Sequence, residues 1–197
     1  MRKVIVDEFM SLDGVAQAPG GEDEDTSGGF RHGGWHMQYM EDDVSRPWVL
    51  GGIVEAGGFL LGRRTYEIFA AFWPNAPEEE QAIAEPLNSK PKWVASTTLS
   101  GDLEWQNSTA LEGDLASAVE ALKREDGDDI HVIGSLQLVR TLVENGLVDE
   151  LRLMIDPVIL GGGKRFFSDD GALRSFRLVD SKATSTGAIL ATYAPAA

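Results

Sequence analysis

Apolar positions along the chain fall into short runs separated by glycine and proline, and most runs carry a recognisable period. Residues 2–10 predict a buried strand, because Val4, Ile5, Val6 and Phe9 are apolar and β-prone. A turn follows at Ser11-Leu12-Asp13-Gly14. Residues 42–56 predict a helix with Val44, Trp48, Ile53 and Val54 on its packed face, ended by Gly57-Gly58. Phe59-Leu60-Leu61 is a short buried strand. Gly62-Arg63-Arg64 leads from it into a helix over Thr65–Phe72, which Trp73-Pro74 stops. Trp93-Val94-Ala95-Ser96 predicts a third strand, and a weaker one is expected near Glu104-Trp105. An amphipathic helix from Leu115 to Lys123 precedes a fourth buried strand, Ile130–Ile133. After Gly134-Ser135 a helix runs to Glu144, with Leu138, Val139, Leu142 and Val143 on one face and Asn145-Gly146 as its stop.

Residues 150–160 predict a long strand in which Leu151, Leu153 and Ile155 alternate with Arg152, Met154 and Asp156. The tail predicts two strands, 175–184 and 188–194, around a Ser185-Thr186-Gly187 turn. Alternating strands and helices followed by a terminal hairpin imply an α/β fold. Its expected form is a mostly parallel sheet with helices on both faces and an antiparallel edge. No internal repeat or linker interrupts residues 1–197, so a single domain is expected.

The stretch 17–36 breaks the pattern. It is rich in glycine and acid, and it interleaves Phe30 and Trp35. Structureless loops this long inside compact domains are functional lids or disordered, and the two aromatics favour a lid that docks. The chain lacks cysteine, which removes disulfides, thiolate metal sites and cysteine nucleophiles. Its formal charge of −15 disfavours nucleic acid and anionic membranes. The N-terminal apolar run is too short for a signal peptide, and no membrane-length apolar run occurs. A soluble, cytoplasmic protein is expected.

Two places combine a buried strand, a glycine and a helix N-terminus: Leu61-Gly62-Arg63-Arg64-Thr65 and Ile133-Gly134-Ser135-Leu136-Gln137. In a parallel sheet both would face one crevice, where unpaired N–H groups and an arginine suit a pyrophosphate. Ordinary strand–helix turns carry the same residue types. Neither segment is a G-x-G-x-x-G fingerprint. Gly161-Gly162-Gly163-Lys164 is not a P-loop, since Arg165 follows the lysine and the earlier glycine is missing. Lys164 and Arg165 either contact a substrate phosphate or are solvated loop charges. His32 and His36 are four apart, but Gly33-Gly34 between them argues against helix and against a metal site. His131 lies mid-strand, as a packed residue does. The acidic run Glu22–Asp25 is most simply a solvated loop tip.

These segments, in this order, resemble the dihydrofolate-reductase-like superfamily: Ser11-Leu12-Asp13-Gly14, Leu61 through Glu67, Lys92 through Ser96, Ile133-Gly134-Ser135, and Leu147 through Lys164. Within it the chain is most similar to the reductase domain of the bifunctional riboflavin-biosynthesis deaminase–reductase and its stand-alone relatives. The resemblance implies a three-layer αβα fold with a sheet of eight or nine strands and NADPH across the strand ends. It implies that Gly62, Arg63, Arg64 and Thr65 take cofactor phosphates, with Ser96 and Thr97 beside the adenosine ribose and its 2′-phosphate. Gly134, Ser135, Leu136, Gln137 and Leu138 would cradle the pyrophosphate, and Val15 and Ala16 would approach the nicotinamide. Asp13 and the Phe30–Trp35 segment would border the substrate. Relatives often carry an arginine where Thr97 stands, which bears on the choice of NADPH over NADH. Asp42 and Asp43 lie near the helix that carries the pterin-binding acid in true dihydrofolate reductases.

The resulting expectation is an NADPH-dependent reductase of a small heterocycle, resembling 5-amino-6-(5-phosphoribosylamino)uracil reductase. Dihydrofolate reduction is the alternative, as is a nucleotide-binding or dimerising protein without catalysis. A raised-pKa carboxylic acid could supply the proton, with Asp13 as a candidate beside a purely structural turn role. The long apolar strand at 151–155 and the terminal hairpin suggest an unprotected sheet edge and hence a homodimer.

Overall fold

The computed structural model describes residues 1–40 and 43–196, so Asp42 lies outside the described residues. Eight strands form one mostly parallel sheet, in the order β4-β3-β2-β5-β1-β6-β8-β7. They are β1 (Val4–Ser11), β2 (Gly58–Gly62), β3 (Lys92–Ala95), β4 (Ser108–Ala110), β5 (Ile130–Ile133), β6 (Glu150–Asp156), β7 (Phe176–Ala183) and β8 (Ile189–Pro195). The helices are α1 (Ser45–Glu55), α2 (Arg63–Phe72), α3 (Gln81–Ser89), α4 (Leu115–Arg124) and α5 (Leu136–Glu144). None among the described residues is long and apolar enough to cross a membrane. The chain forms two compact units, Met1–Val6 with Val49–Asp149 and Asp7–Trp48 with Glu150–Ala197.

In the first unit, β2 pairs in parallel with both β3 and β5, and Phe59, Leu60 and Leu61 are all fully buried. Burial on both faces is why this strand is a continuous apolar run rather than an alternating one. The core beside it is built from Ile53, Phe59, Leu61, Tyr66, Leu87, Val94 and Trp105. Helix α4 starts on Asp114, whose carboxylate accepts the Ser117 N–H at 2.9 Å, and ends on Lys123 and Arg124. Both ends therefore match the helix dipole.

Two lysines close helices from outside. Lys90 Nζ donates to the carbonyls of Ile53, Val54 and Ala56 at the end of α1. Lys92 Nζ donates to Leu87 (2.8 Å), Asn88 (3.3 Å) and Lys90 (2.9 Å) at the end of α3, and lies 4.4 Å from the Trp105 ring centroid. Orphan carbonyls at a helix C-terminus are good acceptors for a buried ammonium. Burial pulls the Lys92 pKa down to about 8, which still leaves it mostly charged at neutral pH.

Three sequence expectations change here. The weak strand near Glu104-Trp105 is instead a turn, because Trp105 is drawn into the core, where its N–H meets the Tyr66 hydroxyl. The strand that follows β3 is Ser108–Ala110. Helix α3 is absent from the hydrophobic reading because Pro86 interrupts the pattern; burial of Ala84, Pro86 and Leu87 outweighs that penalty. The strand predicted over 150–160 ends at Asp156, since Pro157 cannot extend the ladder.

In the second unit, β6 pairs antiparallel with β8, and β8 with β7. Strand β6 is therefore an interior strand, and the expected exposed edge at 151–155 is corrected. The terminal hairpin turns back so that β8 covers β6 and leaves β7 at the margin. Met154, Ala188 and Leu190 pack there with Phe9, Tyr39, Met40, Val44 and Trp48. Arg152 pairs with Asp7 at 2.8 Å, donates to the Trp48 carbonyl at 2.8 Å and stacks 4.3 Å from the Trp48 ring centroid.

Candidate functional site

In the first unit, the parallel registers Gly62↔Ala95 and Phe59↔His131 align the C-terminal ends of β2, β3 and β5. The β2–α2 and β5–α5 turns consequently lie side by side. One hydroxyl joins them: Ser135 Oγ accepts the Gly62 N–H at 2.8 Å and donates to Thr65 Oγ1 at 2.9 Å. Ser135 holds φ +66° and Gly134 φ +59°, so two successive residues are left-handed. Glycine adopts that conformation freely, and serine adopts it at a cost that its two side-chain hydrogen bonds help to offset. A Cβ on Gly62 would come within 3.2 Å of Ser135, so the approach of the two turns depends on that glycine.

Neither α2, which begins after Gly62, nor α5, which begins after Ser135, has a side-chain cap. Their first N–H groups are open to an anion. Arg63 is engaged with Glu67 at 2.8 Å, whereas Arg64 is exposed and forms no ion pair among the described residues. Past the end of β3, the Ser96 hydroxyl accepts the N–H groups of Thr98 and Leu99 at 3.0 Å, and Thr97 is exposed. Leu136 and Gln137 open α5, and Leu138 is buried beneath it. The predicted phosphate-binding positions are thus neighbours in space.

In the second unit, the 17–36 stretch is held through Gln17. Its side chain donates to the Asp25 and Ser27 carbonyls at 2.9 and 3.0 Å and accepts the Lys164 N–H at 2.9 Å. Its carbonyl accepts the Trp35 indole N–H at 2.9 Å. Trp35 is therefore a buried pin of the loop. Val15 and Ala16, both buried, lie alongside residues 164 and 165: Val15 bridges Arg165, and the Ala16 N–H donates to the Lys164 carbonyl. Phe30 is half-buried against Gly163, where a Cβ would come within 2.8 Å of its ring. Lys164 is paired with Asp25, and the two carry opposite charges across the base of the loop. Despite the penalty of partial burial, the Lys164 and Ser27 hydrogen bonds hold the Asp25 carboxyl at about 2.

Asp13, the candidate proton donor, takes part in the first turn. Partial burial pushes its pKa up, but the Ser11 hydroxyl and the N–H groups of Leu160 and Gly161 donate to it, and the net shift is downward. The Asp13 carboxylate thus ties the first turn to the glycine loop through the Leu160 and Gly161 N–H groups.

The groups that sequence reasoning missed are buried nearby. Glu8 on β1 is 4% exposed, accepts the Phe9 N–H through Oε1, and has no partner for Oε2. Burial pushes its pKa to about 8 against the pull of that N–H, and Glu24 and Asp7 add to the rise. His36 Nδ1 lies 2.7 Å from Asp156 Oδ2; the residues are 1% and 0% exposed, and His36 Nε2 and Asp156 Oδ1 lack partners. The only sequence signal for Glu8 and Asp156 is an acid inside or ending an otherwise apolar strand. For His36 there is none, because its partner is 120 residues away. Among the described residues no group of three His, Cys, Asp or Glu side chains is placed to hold a metal, and His32 and His36 do not form one.

Residues 2–190 match the RibD C-terminal domain family. The chain is 29% identical over 194 residues to the uncharacterized protein YyaP of Bacillus subtilis (strain 168), covering 98% of this chain and 94% of that one. It superposes on a Shewanella sp. PV-4 protein named for riboflavin biosynthesis with a TM-score of 0.72, at 20% identity and 99% coverage of both chains. A pyrimidine reductase-like protein of Corynebacterium diphtheriae gives a TM-score of 0.67 at 15% identity, covering 100% of this chain and 92% of that one.

Proposed function

Since the chain belongs to the RibD C-terminal domain family, we propose that it is a reductase that uses NADPH to reduce a C=N or C=O carbon of a small pyrimidine. The observation that carries the cofactor reading is the Ser135 hydroxyl bridging two uncapped helix turns, which brings Gly62, Thr65 and Ser135 together. Two helix N-termini, a close glycine approach and an available guanidinium suit a pyrophosphate. Arg64, Thr65 and the N–H groups at the start of α5 would hold it, with Ser96 and Thr97 toward the adenosine end. When bound, the cofactor supplies a hydride, and the protein contributes positioning and exclusion of water.

The names of the structural neighbours support a pyrimidine substrate. Dihydrofolate is the alternative substrate. The test is a fluorescence titration with NADPH and NADH, followed by NADPH oxidation with 5-amino-6-(5-phosphoribosylamino)uracil or dihydrofolate. NADPH binding and turnover of the pyrimidine are expected. Binding without oxidation of either compound would leave a nucleotide-binding protein, and no binding would remove the cofactor site.

The proposal extends to a homodimer formed at the hairpin. Strand β7 is the sheet's margin, and Leu178 and Val179 on it are 54% and 50% exposed. A marginal strand with exposed apolar side chains is a template for a second copy. Light scattering coupled to size exclusion should give twice the 21.3 kDa chain mass, and Leu178→Lys should shift it to one.

A further inference from the structure

We propose that Ser135 is a positioning residue for the cofactor phosphates, whose hydroxyl touches no ligand itself but sets the Thr65 hydroxyl to donate to a phosphate; the inference rests on the reductase reading above. Ser135 stands at the N-cap of α5. A serine there ordinarily takes an extended backbone and accepts an N–H of its own helix. Here φ is +66° and ψ is +53°, and the hydroxyl makes no such bond. A left-handed backbone is costly for a residue with a Cβ, and such strain persists only where the surrounding structure holds it. What holds it is the β2–α2 turn, because Ser135 Oγ accepts the Gly62 N–H at 2.8 Å. A Cβ on Gly62 would come within 3.2 Å of both the Cβ and the Oγ of Ser135, so only glycine lets the two turns approach this closely. The serine thus serves the neighbouring turn and leaves the first N–H groups of its own helix open.

The direction of the next bond decides which hydroxyl is left to act. A hydroxyl carries one hydrogen to donate and two lone pairs to accept with. Ser135 donates its hydrogen to Thr65 Oγ1 at 2.9 Å, so that hydrogen is spent between the two turns. Thr65 accepts there and keeps its own hydrogen, which has no acceptor among the described residues. Thr65 is half-buried in the first turn of α2, beside the exposed Arg64, and a Cβ on Gly134 would lie 3.7 Å from its Oγ1. The Gly62 N–H, the Ser135 hydroxyl and the Thr65 hydroxyl therefore form a chain of donors that runs one way. Each bond in such a chain polarises the next, so a hydroxyl that already accepts is a stronger donor. An anionic oxygen is the acceptor that completes it. The pyrophosphate role that the family resemblance gives Ser135 accordingly passes, for the side chain, to Thr65.

The rival explanation is that Ser135 merely ties two turns together, and a double-mutant cycle with Thr65 separates the two. Ser135→Gly keeps the left-handed backbone without strain and removes the hydroxyl, so relief of strain offsets the lost bonds and the variant should melt close to the wild type. Its NADPH Kd should rise roughly 3- to 10-fold, the worth of one net hydrogen bond. Thr65→Val keeps the shape and removes the donor that meets charge, so Kd should rise roughly 10- to 100-fold. In the double variant Kd should equal that of Thr65→Val alone, because Ser135 acts through Thr65. KM for NADPH should rise with Kd while kcat changes less, as for a contact remote from the reacting carbon. A Kd unchanged in Ser135→Gly, or losses that simply add in the double variant, would overturn the proposal and leave the reductase reading standing. Should Ser135→Gly fail to fold, Ser135→Ala lacks the same hydroxyl and enters the same cycle. Loss of folding in both would show a purely structural serine and would also overturn the proposal. Absence of NADPH binding in the wild type would instead bring down the reductase reading, and this proposal with it.

Discussion

Glu8→Gln should make the protein more stable at pH 8.5 and slightly less stable at pH 5. Glu8 has a folded pKa of about 8 against an ordinary 4.5, caused first by burial and then by the charges of Glu24 and Asp7. The folded state therefore holds a proton that the unfolded chain releases across this range. Stability contributed by the neutral acid is fully present below about pH 4.5 and is lost as pH rises to about 8. At roughly 1.4 kcal/mol per pH unit, the upper bound on the loss is about 5 kcal/mol. Glutamine keeps the shape and the acceptor for the Phe9 N–H but never ionises. It adds an amide N–H where Oε2 already lacks a partner, so a net gain of about 2–3 kcal/mol at pH 8.5 is expected. Urea unfolding at pH 5, 7 and 8.5 measures it. Parallel pH curves for the two proteins would show that Glu8 does not titrate in this window.

Arg64→Ala should weaken NADPH binding by 10- to 100-fold, and Arg63→Ala far less. The two arginines are adjacent in sequence and exposed, but they are not equivalent. Arg63 spends its guanidinium on Glu67 one turn later, an exposed pair of little consequence for stability. Arg64 has no such partner among the described residues, so it can close on a phosphate without breaking an ion pair there. A charge-assisted hydrogen bond is worth about 1.5–3 kcal/mol, which corresponds to the range stated. Raising the salt concentration should reduce the wild-type affinity and narrow the gap between the proteins. Equal losses in the two variants would mean that the Arg63–Glu67 pair opens on binding; no loss in either would move the phosphates elsewhere. Fluorescence titration at two ionic strengths distinguishes these results.

The sequence by itself determined the strand–helix succession, and for a local reason. Apolar runs such as Phe59-Leu60-Leu61 and Ile130–Ile133, bounded by glycine, can be satisfied only as buried strands, and the α5 face repeats at helical spacing. It also located the two glycine turns that precede α2 and α5, since a glycine before a helix start is a local feature. Elements that depend on distant partners were not legible. Helix α3 forms across Pro86 because Leu87 has a core to enter, and Trp105 leaves a strand pattern to do the same. Strand β6 looks like an edge until β8 folds back beside it. The chemistry followed the same division. Asp13 invited a protonated reading as a nearly buried acid, and the N–H groups of Leu160 and Gly161 that donate to it lie far along the chain. Glu8, His36 and Asp156 are unremarkable letters in the sequence. Their burial and the 2.7 Å contact between His36 and Asp156 come only with the fold, because desolvation and pairing depend on what surrounds a side chain, not on what precedes it.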